Sequence, residues 1–528
     1  MSETPAPGMD AETFDQFLEQ LERYVRERLI PAEAEVIAND RIPDEIVAEM
    51  KEMGLFGLTV PEDFGGAGLN TTQYAKVVKT MAYAAPAYRS IFSINVGMFN
   101  SAIKNGGTDA QKAEWWPRIA AGEIACFGLT EPGSGSDSAA MATTARPDPD
   151  GNGWILNGTK RYITNAPHAD VALIMARTEK DALPKNAHVS AFIVPMDTPG
   201  MSTSSPDKKM GQSGSHISDV MLDDVHVPGE ALLGGQTGKG FRFAMMSLDN
   251  GRISVGAAST GYARRALDSA LKYLMVKSAN DIAVAIAQTV GGTTERFVAM
   301  MNAEAQRIGM ISTRFVNPNG LPGEGQYSTA RDLALLAVTL RREFPEYANY
   351  FNLEGFTVGT RSYENFNSLI GRFAGADGMK TGYICASGYN QVSSATVNGR
   401  TVVSVILGAD SLVDRADESA RLLNEALNTP AGGETLWTLA PYGPERDQVR
   451  DVSAEICSTE ARKARQGERD EDGKLVFHSP LIKDRGRDPN YVQAPVGAAI
   501  GNGPASAAEA AILLGTSYIP LPNFRPAS

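Results

Sequence analysis

Apolar residues at Phe14, Phe17, Leu18, Leu21 and Val25 repeat with the period of one helix face, which predicts an amphipathic helix at the start of the chain. Helical patterning continues to about Ala125, broken by a Gly- and Pro-punctuated connection, GLFGLTVPEDFGGAGLN at 54–70. Between Trp154 and Pro228 the period shortens. VALIMART, HVSAFIVPM and DVMLDDVHVP read as short strands of a small β domain, and Asn157-Gly158 inside WILNGTKRYITNA predicts a hairpin turn. Helix returns after Gly240, where Ala263, Ala266, Leu267, Ala270, Leu271 and Leu274 hold one face. Beyond Ser278 the texture changes again. Helical segments near 280–305 and 329–342 precede the strand-like runs GYNQVSSATV and RTVVSVILGA, a mixture typical of α/β or α+β domains. After about Thr429 the pattern fades, and the Ala/Gly/Pro-biased end, APVGAAIGNGPASAAEAAILLG then IPLPNFRPAS, predicts a poorly ordered tail.

Composition narrows the class. A chain of 528 residues has room for roughly two to four domains. Its 43% hydrophobic and 21% charged residues are ordinary for a globular protein. A net charge of −13 argues against nonspecific nucleic-acid or anionic-lipid partners. No apolar run is long enough to span a bilayer, and MSETPAPGMDAETFDQF lacks the features of a secretory signal. Cys126, Cys385 and Cys457 suggest neither a disulfide framework nor a metal site, and the five histidines form no His-x-x-x-His pair. The expectation is a soluble cytoplasmic protein without a metal.

Chemistry concentrates in two places. CFGLTEPGSGSD, Cys126–Asp137, is a glycine-rich turn whose backbone N–H groups can approach a ligand closely, with hydroxyl donors at Thr130, Ser134 and Ser136. GTKRYITNA follows it, then VHVPGEALLG, GKGFRFAM and LDNGR. In that order, over about 260 residues, these motifs resemble the acyl-CoA dehydrogenase family in its N-terminal helical and middle β-barrel domains. The resemblance implies FAD as cofactor, α,β-oxidation of an acyl-CoA thioester, and an electron-transfer flavoprotein as candidate electron acceptor. By position, Phe127, Leu129, Thr130, Gly135 and Ser136 match the flavin-contacting turn. Tyr162, Ile163 and Thr164 match a second strand covering the ring. Ser136, Asp249 and Arg252 match positions that meet the acyl-CoA.

The chemistry also needs a carboxylate to take the α-proton. In one branch of the family a glutamate precedes the arginine matched by Arg252; here that residue is Gly251. In the commoner branch the base comes from a C-terminal helical domain, yet the likeness stops near Tyr273. The dehydrogenase base is therefore unassigned.

From Leu274 to Thr429 a different family enters. SAND at 278–281, MNAEAQRIGM, TRFVNPNGLP, YSTARDLALLA and ADGMKTGY resemble the serine-type D-Ala-D-Ala carboxypeptidases. That resemblance makes Ser278 a proton relay and Asn280 an orienting group. It places Lys380, Thr381 and Gly382 on an edge strand that binds the peptide carboxylate, with Arg415 assisting. The family's nucleophile belongs to a Ser-x-x-Lys segment, the lysine one helical turn from its serine. Three bare matches precede Ser278, beginning at Ser101, Ser205 and Ser269, and each lies in dehydrogenase-like sequence. The nucleophile is missing.

The expected fold is multidomain: a helical domain over 1–125, a middle β-barrel domain over 126–235, and the start of a truncated helical domain over 236–273. A partial α/β transpeptidase-like domain over 274–429 and an extension with tail over 430–528 complete it. A natural fusion, a rearranged gene and a misjoined gene model would each produce this order. The leading function is an impaired flavoprotein dehydrogenase acting on an acyl-CoA. The alternatives are a carboxypeptidase trimming peptidoglycan peptides, which needs an unexpected nucleophile, and a non-catalytic chimera.

Overall fold

Asp10 starts the first helix by accepting the Thr13 N–H at 3.0 Å, and the apolar stripe predicted from the sequence then turns inward. The computed structural model describes residues 8–151, 153–178, 188–359, 361–430, 432–440 and 448–494. Helix α1 (Ala11–Tyr24) passes through a π-helical turn, Val25–Leu29, into α2 (Ile30–Asn39). Five more helices follow: α3 (Asp44–Glu52), α4 (Thr71–Met81), α5 (Pro86–Ile94), α6 (Asn100–Gly106) and α7 (Asp109–Ala120). Phe14, Leu21 and Val25 bury against Ile46, Phe56, Tyr88 and Phe92, while Phe17 and Leu18 lie at the edge of that cluster. Reciprocal capping boxes, Asn70 with Gln73 and Thr108 with Gln111, fix the starts of α4 and α7.

The β domain contains β1 (Ala125–Gly128), β2 (Thr144–Pro147), β3 (Gly153–Thr164), β4 (Val171–Arg177), β5 (Val189–Pro195), β6 (Met201–Thr203) and β7 (Ile217–Pro228). They form one sheet in the order β1-β4-β2-β3-β7-β6, with β5 paired to β4. The hairpin expected at Asn157-Gly158 does not form. Instead β3 runs straight through the pair, and its register against β7 shifts between Leu156 and Gly158. Asn157 bonds Asp224 on β7 through both its amide atoms, at 2.9 and 3.0 Å, so its side chain links strands rather than closing a turn. Gly158 supplies the irregular residue, with φ +148° and Thr143 so close that a Cβ would lie 2.5 Å from its Oγ1.

A single helix, α8 (Gly240–Lys277), carries the chain from the first compact unit into the second. The units divide between Arg265 and Ala266, a few residues before the join expected near Tyr273. Continuous helix across the change explains the smooth apolar pattern there. The second unit continues with α9 (Asn280–Gly291), α10 (Thr294–Ile308), α11 (Ala330–Glu343), α12 (Ala348–Phe351), β8 (Gly355–Val358) and β9 (Arg361–Glu364). Next come β10 (Ala376–Ile384), β11 (Gly388–Val397), β12 (Arg400–Ala409), α13 (Leu412–Asn428), α14 (Ser453–Cys457), α15 (Thr459–Gln466) and β13 (Tyr491–Gln493). The helical run expected over 280–305 is broken at Gly292, whose φ of +79° lets Thr293 cap a new helix. GYNQVSSATV and RTVVSVILGA are β11 and β12, and β10 forms the edge of their antiparallel sheet. Helix α13 closes one side of that sheet through Ala416, Ala420 and Leu423, packed with Leu369, Phe373 and Ala395.

One expectation fails outright: Cys385 and Cys457 form a disulfide, with Cα atoms 5.7 Å apart. They are 72 positions apart in the chain, so spacing gave no hint of the pairing. No described helix is long and apolar enough to cross a membrane. No metal-binding cluster occurs among the described residues. The Ala/Gly/Pro-rich tail from 495 onward lies outside the described residues.

Candidate functional sites

The first candidate site begins where β1 leaves the helices. Two buried asparagines fix this departure. Asn95, in a π-helical turn at Asn95–Phe99, accepts the Ala125 N–H at 2.8 Å and donates to the Glu123 carbonyl at 2.5 Å. Asn165, held at φ +68°, donates to the Ile91 carbonyl at 2.9 Å. Beyond β1 the chain folds back on itself, with Glu131 and Ser134 exchanging backbone hydrogen bonds at 3.0 and 3.1 Å. The Ser134 hydroxyl donates to the Asp137 carbonyl and is used inside the turn. A Cβ at Gly133 or Gly135 would meet no atom within 4 Å, so the outer side of the turn is open.

Under this turn lies an ion pair that the motif reading missed. Lys160 on β3, fully buried, donates to Glu131 at 2.6 Å. The Glu131 carboxylate also accepts the N–H groups of Ala142 and Thr143, at 2.5 and 3.1 Å. Burial brings the Lys160 ammonium down to about 8, opposed by the Glu131 charge. Burial is also the largest influence on Glu131 and raises its carboxyl, but the Lys160 charge and the hydrogen bonds outweigh it and leave the carboxyl below its usual range. At neutral pH both groups are charged. Glu131 sits inside the quoted turn and Lys160 inside GTKRY, yet only the fold brings them together.

The residues matched to the flavin turn divide into two sets. Phe127, Leu129 and Ile163 point into hydrophobic clusters. Thr130 and Thr164 are half-buried, whereas Gly135 and Ser136 are exposed. Tyr162 is 56% exposed at φ +58°, in a second irregularity of β3 between Lys160 and Ile163. The Arg161 guanidinium stacks 4.9 Å from its ring, and the Arg161 N–H bonds the Thr130 carbonyl at 2.8 Å, tying this bulge to the turn. Left-handed geometry is costly for an aromatic residue and is kept where the surrounding hydrogen bonds over-determine it. The result is an exposed aromatic face beside hydroxyl donors and a glycine-rich turn.

Asp249 and Arg252 lie on the exposed face of α8 and pair with each other at 2.5 Å. Gly251 faces inward, where a Cβ would lie 2.9 Å from the Met98 Cε, the end of a flexible side chain. No carboxylate stands at the position that carries the base in one branch of the resembled family.

The second candidate site lies wholly in the second unit. Ser278 ends α8 at φ +55°, and Lys380 on β10 donates a hydrogen bond to its hydroxyl and a second to the Thr381 carbonyl at 2.8 Å. Burial, then the Arg415 charge, lowers the Lys380 ammonium to about 8. Asn280 is exposed in the first turn of α9, whose cap is Ala279 rather than Ser278. Thr381 is buried opposite Gln391, and Gly382 is exposed opposite Asn390. Arg415 is 2% exposed and donates to the carbonyls of Phe366 at 2.9 Å and Asn390 at 3.4 Å. It faces Lys380 through its field while its hydrogen bonds hold the backbone.

The Ser-x-x-Lys matches have surroundings of their own. Ser101 is buried and accepts from Asn250, Ser205 lies on an exposed non-helical stretch, and Lys272 pairs with Asp268 along α8.

Comparison with known proteins follows the same division. Residues 11–123 match the acyl-CoA dehydrogenase N-terminal domain and 126–225 the acyl-CoA dehydrogenase middle domain. Residues 258–411 match the D-alanyl-D-alanine carboxypeptidase family. The short-chain specific acyl-CoA dehydrogenase of Bos taurus mitochondria is 36% identical over 269 residues, which are 51% of this chain and 64% of that protein. A probable acyl-CoA dehydrogenase of Bacillus subtilis, YngJ, is 37% identical over 256 residues, 48% of this chain and 66% of its own. The crystal structure of an acyl-CoA dehydrogenase complexed with FAD from Bacillus anthracis is 30% identical, covering 55% of this chain and 51% of its own at a TM-score of 0.48. The chain spans less than two thirds of the length of these curated relatives. One polypeptide thus joins the N-terminal and middle domains of the acyl-CoA dehydrogenase family to a segment of the D-alanyl-D-alanine carboxypeptidase family.

Proposed function

We propose that the first unit is an acyl-CoA dehydrogenase-type module that binds FAD weakly, with α,β-oxidation of acyl-CoA thioesters impaired. The observation that carries this reading is the open turn held on the buried Glu131–Lys160 pair, combined with a glycine at position 251. The residues present suit one wall of a flavin site. Thr130, Ser136 and Thr164 offer hydroxyl donors, Gly135 permits close backbone approach, and exposed Tyr162 offers an aromatic face. When bound, FAD supplies the hydride acceptor. This chain's own part is to orient the ring and the thioester and to take the α-proton. Asp249 cannot readily do the last, because Arg252 holds it on the helix surface. An electron-transfer flavoprotein remains the candidate acceptor.

Two measurements test the proposal. Purified protein passed through gel filtration is expected to retain little flavin absorbance, whereas added FAD should bind saturably, and less tightly in Tyr162→Ala. Stoichiometric flavin surviving gel filtration would contradict weak binding, and no saturable uptake would contradict binding altogether.

The Ser278–Lys380 contact favours a second reading for the second unit, a carboxypeptidase-derived module acting on peptide carbonyls.

A further inference from the structure

We propose that Ser278 and Lys380 act as a serine–lysine nucleophile pair in which Ser278 Oγ attacks an acyl carbonyl and Lys380 takes its proton. The family's usual nucleophile is absent, so a serine that would otherwise relay protons becomes the hydroxyl best placed to react.

Four observations converge on the pair. First, the fold brings together residues 102 positions apart, from the end of α8 and an edge strand, and joins them by a hydrogen bond. Second, Ser278 closes α8 in the left-handed region, a common helix ending usually given to glycine, so a serine there bears a cost of about 1–2 kcal/mol. Third, the charged groups around the pair leave Lys380 without a carboxylate partner among the described residues. Arg415 from α13 disfavours its charged form, Lys277 lies over the rings of Tyr363 and Phe366, and Asp281 in α9 is exposed. A lysine that loses its proton near pH 8 can serve as a base at mildly alkaline pH. Fourth, the strand carrying Lys380 is an edge. Among the described residues β10 pairs only with β11, and a Cβ at Gly382 would meet no atom within 4 Å. An extended acyl chain can lie along that edge. Helix α9 starts two residues after Ser278, and Ala279 offers no side chain to compete for its first-turn N–H groups, which favour a developing oxyanion.

The ligand class is an ester or peptide carbonyl on an extended chain. In the step, an Oγ–acyl bond forms, the bond to the leaving alcohol or amine breaks, and the hydroxyl proton passes to Lys380 Nζ. Lys380 returns that proton to the leaving group, and water then cleaves the acyl-serine.

A fluorophosphonate probe on the full chain tests the pair directly, since an Oγ–P bond forms as fluoride leaves. The expected result is one adduct, mapped to Ser278, absent in Ser278→Ala and retained in Ser205→Ala. Lys380→Arg preserves the charge and the hydrogen bond but cannot act as a base, so labelling should fall at least about 100-fold while the thermal transition is kept. The labelling rate should climb with pH through about 8 as Lys380 loses its proton. An adduct on another residue, labelling that survives Ser278→Ala, a rate flat across that pH range, or no adduct on the folded chain would each overturn the proposal. Flavin uptake is read separately, so failure here leaves the reading of the first unit untouched.

Discussion

The first unit fully buries Phe56, Tyr88, Phe92, Phe99 and Phe192, whereas the large side chains buried as completely in the second unit are Arg415 and Phe356. The core under the flavin-type turn draws on three extended apolar clusters. The core of the second unit is divided between a small cluster under α13 and a smaller one between α10 and α11. Apolar residues such as Val290, Met300, Ile311, Phe344 and Trp437 stay exposed there, and a disulfide bridges the edge-strand region to α14. The difference teaches that the two segments keep their shape by different means. One relies on close-packed apolar volume around buried ion pairs, Glu131–Lys160 and Glu33–Arg265, the other on a thin core, polar networks and a covalent link.

That contrast predicts two unfolding transitions, and the sharpest way to separate them is to break the buried pair. Glu131→Ala leaves Lys160 buried without its counter-charge, a loss of about 3–5 kcal/mol confined to the first-unit transition, with FAD uptake abolished. Calorimetry reads the first effect and flavin fluorescence quenching the second. Reducing the Cys385–Cys457 disulfide should lower the other transition by about 4 kcal/mol, because the crosslink closes a long loop of the unfolded chain. Movement of both transitions together would break the comparison.

A pH series gives the next effect. Lys380 titrates near 8 when folded and near 10.5 when unfolded, so between these values the unfolded state holds more protons and second-unit stability rises with pH. Lys160 gives the first unit a rise of the same sign. Lys380→Met should therefore flatten only the second-unit curve. Asn95→Ala is the smallest expected change, about 1–3 kcal/mol from the unpaired Ala125 N–H, and it should weaken FAD uptake by loosening β1.

The parts legible in the sequence were those with a local cause. The stripe from Phe14 to Val25, strands β11 and β12, and the glycine turn each depend on neighbours a few residues away. Asn157-Gly158 misled because the same dipeptide serves a hairpin and a bulge, and Asp224, far along the chain, decides between them. Glu131 with Lys160 and Cys385 with Cys457 are long-range meetings that no spacing rule contains, whereas Ser278 and Lys380 were brought to one site by resemblance and their direct hydrogen bond by the fold. Tyr162 entered as a candidate by resemblance, and its left-handed backbone was visible only in the fold.

The most direct test of the central claim, a flavin-type site without its catalytic base, is anaerobic addition of a short straight-chain acyl-CoA to FAD-loaded protein while the flavin absorbance is followed. Bleaching should be slower than in an intact acyl-CoA dehydrogenase by about 10²–10⁴-fold, the usual cost of losing a general base. Gly251→Glu should recover part of it, since a Cβ there meets only the flexible side chain of Met98. Rapid bleaching of the unaltered chain would contradict the claim.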